Sequence, residues 1–147
     1  MKAVVQRVRK TSLSVDGTLI SEIPFGLTVF LGVKSGDTEK EGAYIAKKIA
    51  GLRIFEDENG KMNLSVKDVG GEVLLVSQFT LYGDASHGNR PSFTLAARPE
   101  VAEPLYEYVA KELSACGVVV KKGVFGADMK IEQYNDGPVT ILLDCDK

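Results

Sequence analysis

Two short segments carry residue types that could do chemistry, and they lie far apart in the chain. The first is Ser77-Gln78-Phe79-Thr80-Leu81. A hydroxyl at the end of a strand, followed by a glycine-bearing loop, can act as a nucleophile, but threonine needs a base to activate it. None stands nearby in the sequence. Gln78 donates and accepts hydrogen bonds without charge, which suits orienting a carbonyl group. Taken alone, Thr80 reads as a structural strand residue. The second segment is Asn135-Asp136-Gly137-Pro138-Val139-Thr140. Glycine permits unusual backbone angles, and proline removes an N–H and fixes φ, so the pair can present bare carbonyl oxygens to a ligand. By itself Gly137-Pro138 reads as a trans turn entering the apolar run Val139 to Leu143. Proline is nonetheless the residue before which a cis bond costs little, roughly 0.5–1 kcal/mol.

Several familiar catalytic devices are missing. There is no glycine-rich phosphate loop followed by Lys-Ser/Thr, and no G-x-G-x-x-G after a strand. The only histidine, His87, lies between Ser86 and Gly88 with no local group expected to orient it, so it reads as an exposed loop residue. Asp128 reads as a turn cap and Asp144 with Asp146 as a solvated end. Cys116 and Cys145 show no C-x-x-C spacing, which suggests reduced thiols in a cytoplasmic protein. One histidine and two cysteines do not supply a recognisable zinc site, and no metal or other cofactor is expected.

The formal net charge is −2. That argues against coating nucleic acid nonspecifically, and against a DNA partner, because such proteins need a strongly basic face. It leaves room for gripping one RNA end through a few local cations. Arg7, Arg9 and Lys10 form one cluster and Lys121 with Lys122 another, though each alone reads as a solvated strand end. The opening Met1 to Arg7 is too short and interrupted for a signal peptide. No run approaches the ~20 apolar residues that span a bilayer, so no membrane partner is expected.

The elements that must position these segments are mostly strands. Ala3 to Arg9 is valine-rich, and Ser12 to Val15 should pair with Leu19 to Ile23 across Asp16-Gly17. Leu27 to Val33 reads as a buried strand. Thr38 with Glu41 forms a capping-box pattern ahead of a helix over Glu39 to Leu52. A strand is expected over Glu72 to Phe79, a loop over Tyr82 to Pro91, and a second helix from about Pro99, closed by Gly117. Val118 to Lys121, Met129 to Tyr134 and Val139 to Asp144 complete the strands. The expectation is one α/β (or α+β) domain over residues 1–147, with a largely antiparallel sheet or open barrel and two main helices.

Ser77-Gln78-Phe79-Thr80-Leu81 together with Asn135-x-Gly137-Pro138-Val139-Thr140 resembles the paired signature motifs of the D-aminoacyl-tRNA deacylases. Gly88-Asn89-Arg90-Pro91-Ser92-Phe93 and the opening Met1-Lys2-Ala3-Val4-Val5-Gln6-Arg7-Val8 are similar to that family as well, and the likeness covers essentially the whole chain. The resemblance implies hydrolysis of the ester between a D-amino acid and the terminal adenosine of tRNA. It implies catalysis around Gln78, Phe79 and Thr80, and substrate contacts from Ser77, Met129, Asn135, Val139 and Thr140. It further implies a homodimer in which a cis Gly137-Pro138 pair enters the partner's active site and excludes L-aminoacyl esters. The segment Gly83 to His87 departs from a lysine-richer pattern common at that place. A noncatalytic RNA-end binding module and a small-molecule esterase using Thr80 remain as alternative readings.

Overall fold

The computed structural model describes residues 1–147. Its organising element is a long first strand, β1 (Lys2–Val15), which continues through the two strands expected from the sequence. An Asp16-Gly17 turn, with φ of 50° and 76°, returns the chain as β2 (Thr18–Ile23). Both turn residues have positive φ, the condition for a two-residue hairpin whose twist matches its strands. β3 (Gly26–Gly32) then pairs antiparallel with the first half of β1, from Lys2↔Gly32 to Val8↔Gly26. The helix α1 (Glu39–Gly51) follows, and its capping box forms as expected, with the Thr38 N–H donating to Glu41 Oε2 at 2.8 Å.

A small hairpin, β4 (Phe55–Glu56) with β5 (Met62–Leu64), leads to β6 (Glu72–Ser77), which lies parallel to β3. The helix α2 (Pro99–Ala115) crosses back to β7 (Val119–Lys122), parallel to β6. The last strand, β8 (Lys130–Asp144), runs antiparallel along nearly all of β1. The sheet is therefore antiparallel around β1 and parallel through β3, β6 and β7. It curls until β2 reaches β7: Ser21 Oγ donates to the Lys122 carbonyl at 2.6 Å, and Lys121 Nζ to the Glu22 carbonyl at 2.8 Å.

Alternation along the strands divides the interior. Ala3, Val5, Val29, Leu31, Val73 and Leu75 face the helices, where Ile45, Ile49, Tyr106, Val109 and Leu113 cover them. The Tyr106 hydroxyl is satisfied inside this core, donating to the Leu75 carbonyl at 2.7 Å. Val8, Leu13, Ile23, Leu74 and Val76 form a smaller cluster on the other side. No helix is long and apolar enough to cross a membrane.

Candidate active site

The first motif sits where β6 runs out. The strand ends at Ser77 rather than continuing to Phe79, and Phe79–Tyr82 winds into a 3-10 turn. The reason is visible in the backbone bonds. The Gln78 N–H makes the last bond toward β3, to the Leu31 carbonyl at 2.8 Å, while its own carbonyl already accepts from the Leu81 N–H. Thr80 is thus a turn residue, not the end of a strand. The N–H groups of Phe79 and Thr80 open this turn, where a helical turn leaves its first donors without an internal acceptor.

Gln78 is half-buried and its Nε2 donates to Thr80 Oγ1, so the amide and hydroxyl constrain each other. Phe79 is exposed and meets Phe93 edge-on, with ring centroids 5.2 Å apart. Asp84 and Ser92 exchange backbone hydrogen bonds of 2.8 Å that close the loop beyond. Inside that loop Ser86 Oγ lies 2.8 Å from His87 Nδ1, so the imidazole does have a local partner, contrary to the sequence expectation. The group is exposed and confined to the loop. Tyr82, expected in that loop, is instead buried, and its hydroxyl has no hydrogen-bond partner. Burial, and then the carboxylates of Asp37, Asp146 and Asp144, hold its phenol well above the ordinary value.

The second motif is not a turn between two strands but a bulge within β8. Gln6 is opposite Thr140 and Val8 is opposite Asn135, so Asp136 to Val139 bow out against Arg7 alone. The Gly137–Pro138 peptide bond is cis, and both residues are exposed. Val139 turns inward into the main core and pins one end of the bulge. At the other end stands Arg7, which strand alternation places on the core face beside Ala3 and Val5. Its side chain is only 8% exposed. Arg7 Nε donates to the Asp136 carbonyl at 3.1 Å, and its Nη1 to the Ile54 carbonyl at 2.7 Å. The Asp136 carboxylate lies 3.6 Å from Arg7 Nε and 3.5 Å from Arg9 Nε. Phe25, Phe55 and Glu56 complete the walls of a cavity of about 300 Å³ on this side of the bulge.

Beside the bulge runs a line of polar side chains. Gln133 Nε2 donates to Gln6 Oε1 and to Asn135 Oδ1, both at 2.8 Å, and Gln6 Nε2 donates to Thr140 Oγ1 at 3.2 Å. Asn135 and Thr140 are therefore held by Gln6 and Gln133, which the sequence reading did not single out. Met129 packs with the smaller cluster, and Gly123 leaves room for its sulfur.

Within one chain the two motifs do not meet. Ser77 is level with Ala3 through Leu31, whereas the bulge faces Arg7. Four residues along β1 and three strand spacings separate them, roughly 20 Å on a flat sheet. The two basic clusters lie on strands, as read from the sequence, and their cations are paired rather than free for RNA. Arg7 and Arg9 pair with Asp136, Lys10 with Glu22, Lys121 with Glu72 and Lys122 with Glu107. No group of three His, Cys, Asp or Glu side chains could hold a metal ion.

With this geometry in hand, comparison with known proteins gives a consistent picture. A family model described as D-Tyr-tRNA(Tyr) deacylase matches residues 4–144. A D-aminoacyl-tRNA deacylase of Koribacter versatilis is 60% identical over 147 residues, spanning 100% of this chain and 99% of the relative. One of Bacillus cytotoxicus is 53% identical over 144 residues, spanning 98% and 99%. Among solved structures, a c-Myc DNA unwinding element binding protein superposes with a TM-score of 0.92 at 46% identity, covering 98% of each chain. A probable eukaryotic D-amino acid tRNA deacylase superposes with a TM-score of 0.81 over 97% of each chain, a likeness of fold alone at 16% identity.

Proposed function

The chain belongs to the D-aminoacyl-tRNA deacylase family, a family of hydrolases, and on that footing we propose that it cleaves the ester joining a D-amino acid to the terminal adenosine of tRNA. The observation that carries this reading is the likeness to a deacylase over the whole chain, at 60% identity over 147 residues.

An aminoacyl ester is more reactive than an amide, so positioning and electrostatic stabilisation suffice without a nucleophile, base and acid in one triad. The N–H groups of Phe79 and Thr80 receive the carbonyl oxygen as it gains negative charge. Water adds to the carbonyl carbon, assisted by the neighbouring ribose hydroxyl. The bond to the ribose oxygen then breaks, that oxygen takes the proton, and the free amino acid leaves. Thr80 Oγ1 accepts a hydrogen bond from Gln78 and has no base beside it, which disfavours an acyl-enzyme on Thr80.

Chiral selection falls to the exposed Gly137–Pro138 bulge. Ser77, Met129, Asn135, Val139 and Thr140 frame the substrate pocket or hold that bulge. The roughly 20 Å between the motifs favours a homodimer in which the bulge of one subunit enters the site of the other. A wall made of main chain leaves glycine, which has no side chain to collide, as a partial substrate.

The test is hydrolysis of D-tyrosyl-, L-tyrosyl- and glycyl-tRNA by the purified protein and by Thr80→Ala. Rapid loss of the D ester, slower loss of the glycyl ester, sparing of the L ester and only a modest Thr80→Ala defect are expected. Loss of D and L esters alike would refute chiral exclusion. Abolished turnover in a folded Thr80→Ala would restore the threonine nucleophile, and inertness of the wild type would leave an RNA-end binding module.

A further inference from the structure

We propose that the exposed face of α1 is the docking surface for the acceptor-stem backbone of the tRNA whose 3′ end is hydrolysed. This inference rests on the deacylase reading above. Lys40, Lys47 and Lys48 are exposed and none is in an ion pair, in contrast to the clusters at Arg7 to Lys10 and Lys121 to Lys122. At 3.6 residues per turn, Lys40, Tyr44, Lys47 and Lys48 fall within about 100° of arc. Gly42, Ile45, Ala46 and Ile49 form the buried face opposite them.

Charge and shape suit a phosphodiester backbone. Residues 42–55 contain Lys47, Lys48 and Arg53 and no acidic residue at all. Tyr44 is 47% exposed among them, with Lys48 Nζ 5.6 Å from its ring centroid. A protein with a net charge of −2 thus keeps, on one helix face, three lysines outside any ion pair, of which Lys40 alone has acidic neighbours in sequence, Glu39 and Glu41. The stripe also runs between the two motifs. Lys40 lies in the first turn of α1, beyond the end of β3 to which Gln78 is bonded. Arg53 immediately precedes Ile54, whose carbonyl is held by the same Arg7 that holds the Gly137–Pro138 bulge. The N-terminal end of α1 therefore follows the strand bonded to the first motif, and its C-terminal end leads to the residue tied to the second.

The experiment compares wild type with Lys40→Ala/Lys47→Ala/Lys48→Ala, three exposed side chains with no hydrogen bonds, so the fold is retained and checked by a matched urea midpoint. Binding of uncharged tRNA is measured against salt, and hydrolysis is measured on D-tyrosyl-tRNA and on D-tyrosyl-adenosine, which has no stem. The triple variant should bind tRNA about tenfold more weakly at low salt. Its salt slope should fall by about 2–3, one phosphate contact per lysine. Hydrolysis should drop on D-tyrosyl-tRNA alone. Unchanged tRNA binding, an equal drop on both substrates, or equal competition by duplex DNA would overturn the proposal. If wild type hydrolyses neither ester yet the variant still loses tRNA binding, the deacylase reading fails while the docking surface stands.

Discussion

Replacing Arg7 with methionine tests whether the bulge is held as described. The guanidinium makes two hydrogen bonds to main-chain carbonyls, at 2.7 Å to Ile54 and 3.1 Å to Asp136. Hydrogen bonds from a charged donor contribute about 1.5–3 kcal/mol each. Removing a buried cation also removes its desolvation cost, which offsets part of that loss. A net destabilisation of about 2–4 kcal/mol follows, or a fall in Tm of roughly 6–12 °C for a chain of this size. Arg9 supplies the internal control. It pairs with the same Asp136 carboxylate at 3.5 Å, but its side chain is 67% exposed. Arg9→Met should therefore cost no more than about 0.5 kcal/mol. The assay is thermal unfolding of both variants alongside D-tyrosyl-tRNA hydrolysis in the cold, where both stay folded. Arg7→Met should lose most of its activity although the Gln78 to Thr80 turn lies roughly 20 Å away. An Arg7→Met protein that melts within 2 °C of wild type, or one that keeps full activity, would refute the anchoring argument.

Three other substitutions probe separate parts of the fold. In Gly137→Ala the new Cβ would lie 2.5 Å from the Val139 nitrogen at a φ of 145°, so a loss of about 2–4 kcal/mol is expected in urea unfolding, and a loss below about 1 kcal/mol would contradict it. Tyr82→Phe deletes a buried hydroxyl that has no partner, so stability should stay level or rise by up to about 1 kcal/mol; a clear loss would mean the hydroxyl is bonded after all. Glu41 is held below its ordinary value first by the Thr38 side chain and then by the Thr38 N–H. Its depressed value means the contribution is present above the ordinary carboxylate range, near pH 4.3, and is lost as pH falls through the folded value. The gap between wild type and Glu41→Gln in urea midpoint should shrink from pH 6 to pH 3, whereas a constant gap would count against the charged capping box.

Local signals gave the elements that depend on local physics. The Asp16-Gly17 hairpin and the Thr38–Glu41 capping box need only a few adjacent residues, and both formed where expected. What stayed illegible depends on partners distant in sequence. β1 looked like two strands because polar residues interrupt its apolar pattern at Arg9 and Lys10. It is one strand because β8 supplies hydrogen bonds along nearly its whole length. The same partner converts the Gly137-Pro138 turn into a bulge. Arg7, Arg9 and Lys10 read as a solvated strand end, and their ion-pair partners stayed hidden because Asp136 is 129 positions from Arg7 and Glu22 is on another strand. The lysine stripe on α1 was not legible as one surface, since Gly42, Ile45 and Ala46 of the opposite face separate Lys40 from Lys47 and Lys48 in sequence. Arg7 itself carried a readable signal, a cation in phase with Ala3 and Val5 on a buried strand face.

The separation of the motifs leads to a sharper test of how the site is assembled. If one centre needs the turn at Phe79 and the bulge at Gly137, and each chain keeps them three strands and four residues apart in the sheet, a two-fold dimer forms two equivalent centres, each drawing on both subunits. Two inactive variants should then rescue one another. Phe79→Pro removes an N–H at the first position of the turn, where proline is tolerated, and Phe79 is 56% exposed, so the fold survives. Gly137→Ala disables the bulge. When equal amounts are refolded together, half the dimers are mixed, and each mixed dimer has one centre built from an intact turn and an intact bulge. Activity should return to about a quarter of wild type, while each variant alone stays inactive. If each chain completed its own centre, every centre in the mixture would carry one defect and no activity would return. Measured on D-tyrosyl-tRNA, zero recovery from a mixture that demonstrably contains mixed dimers would refute assembly across subunits, and would require that the bulge and the turn act within one chain despite the sheet between them.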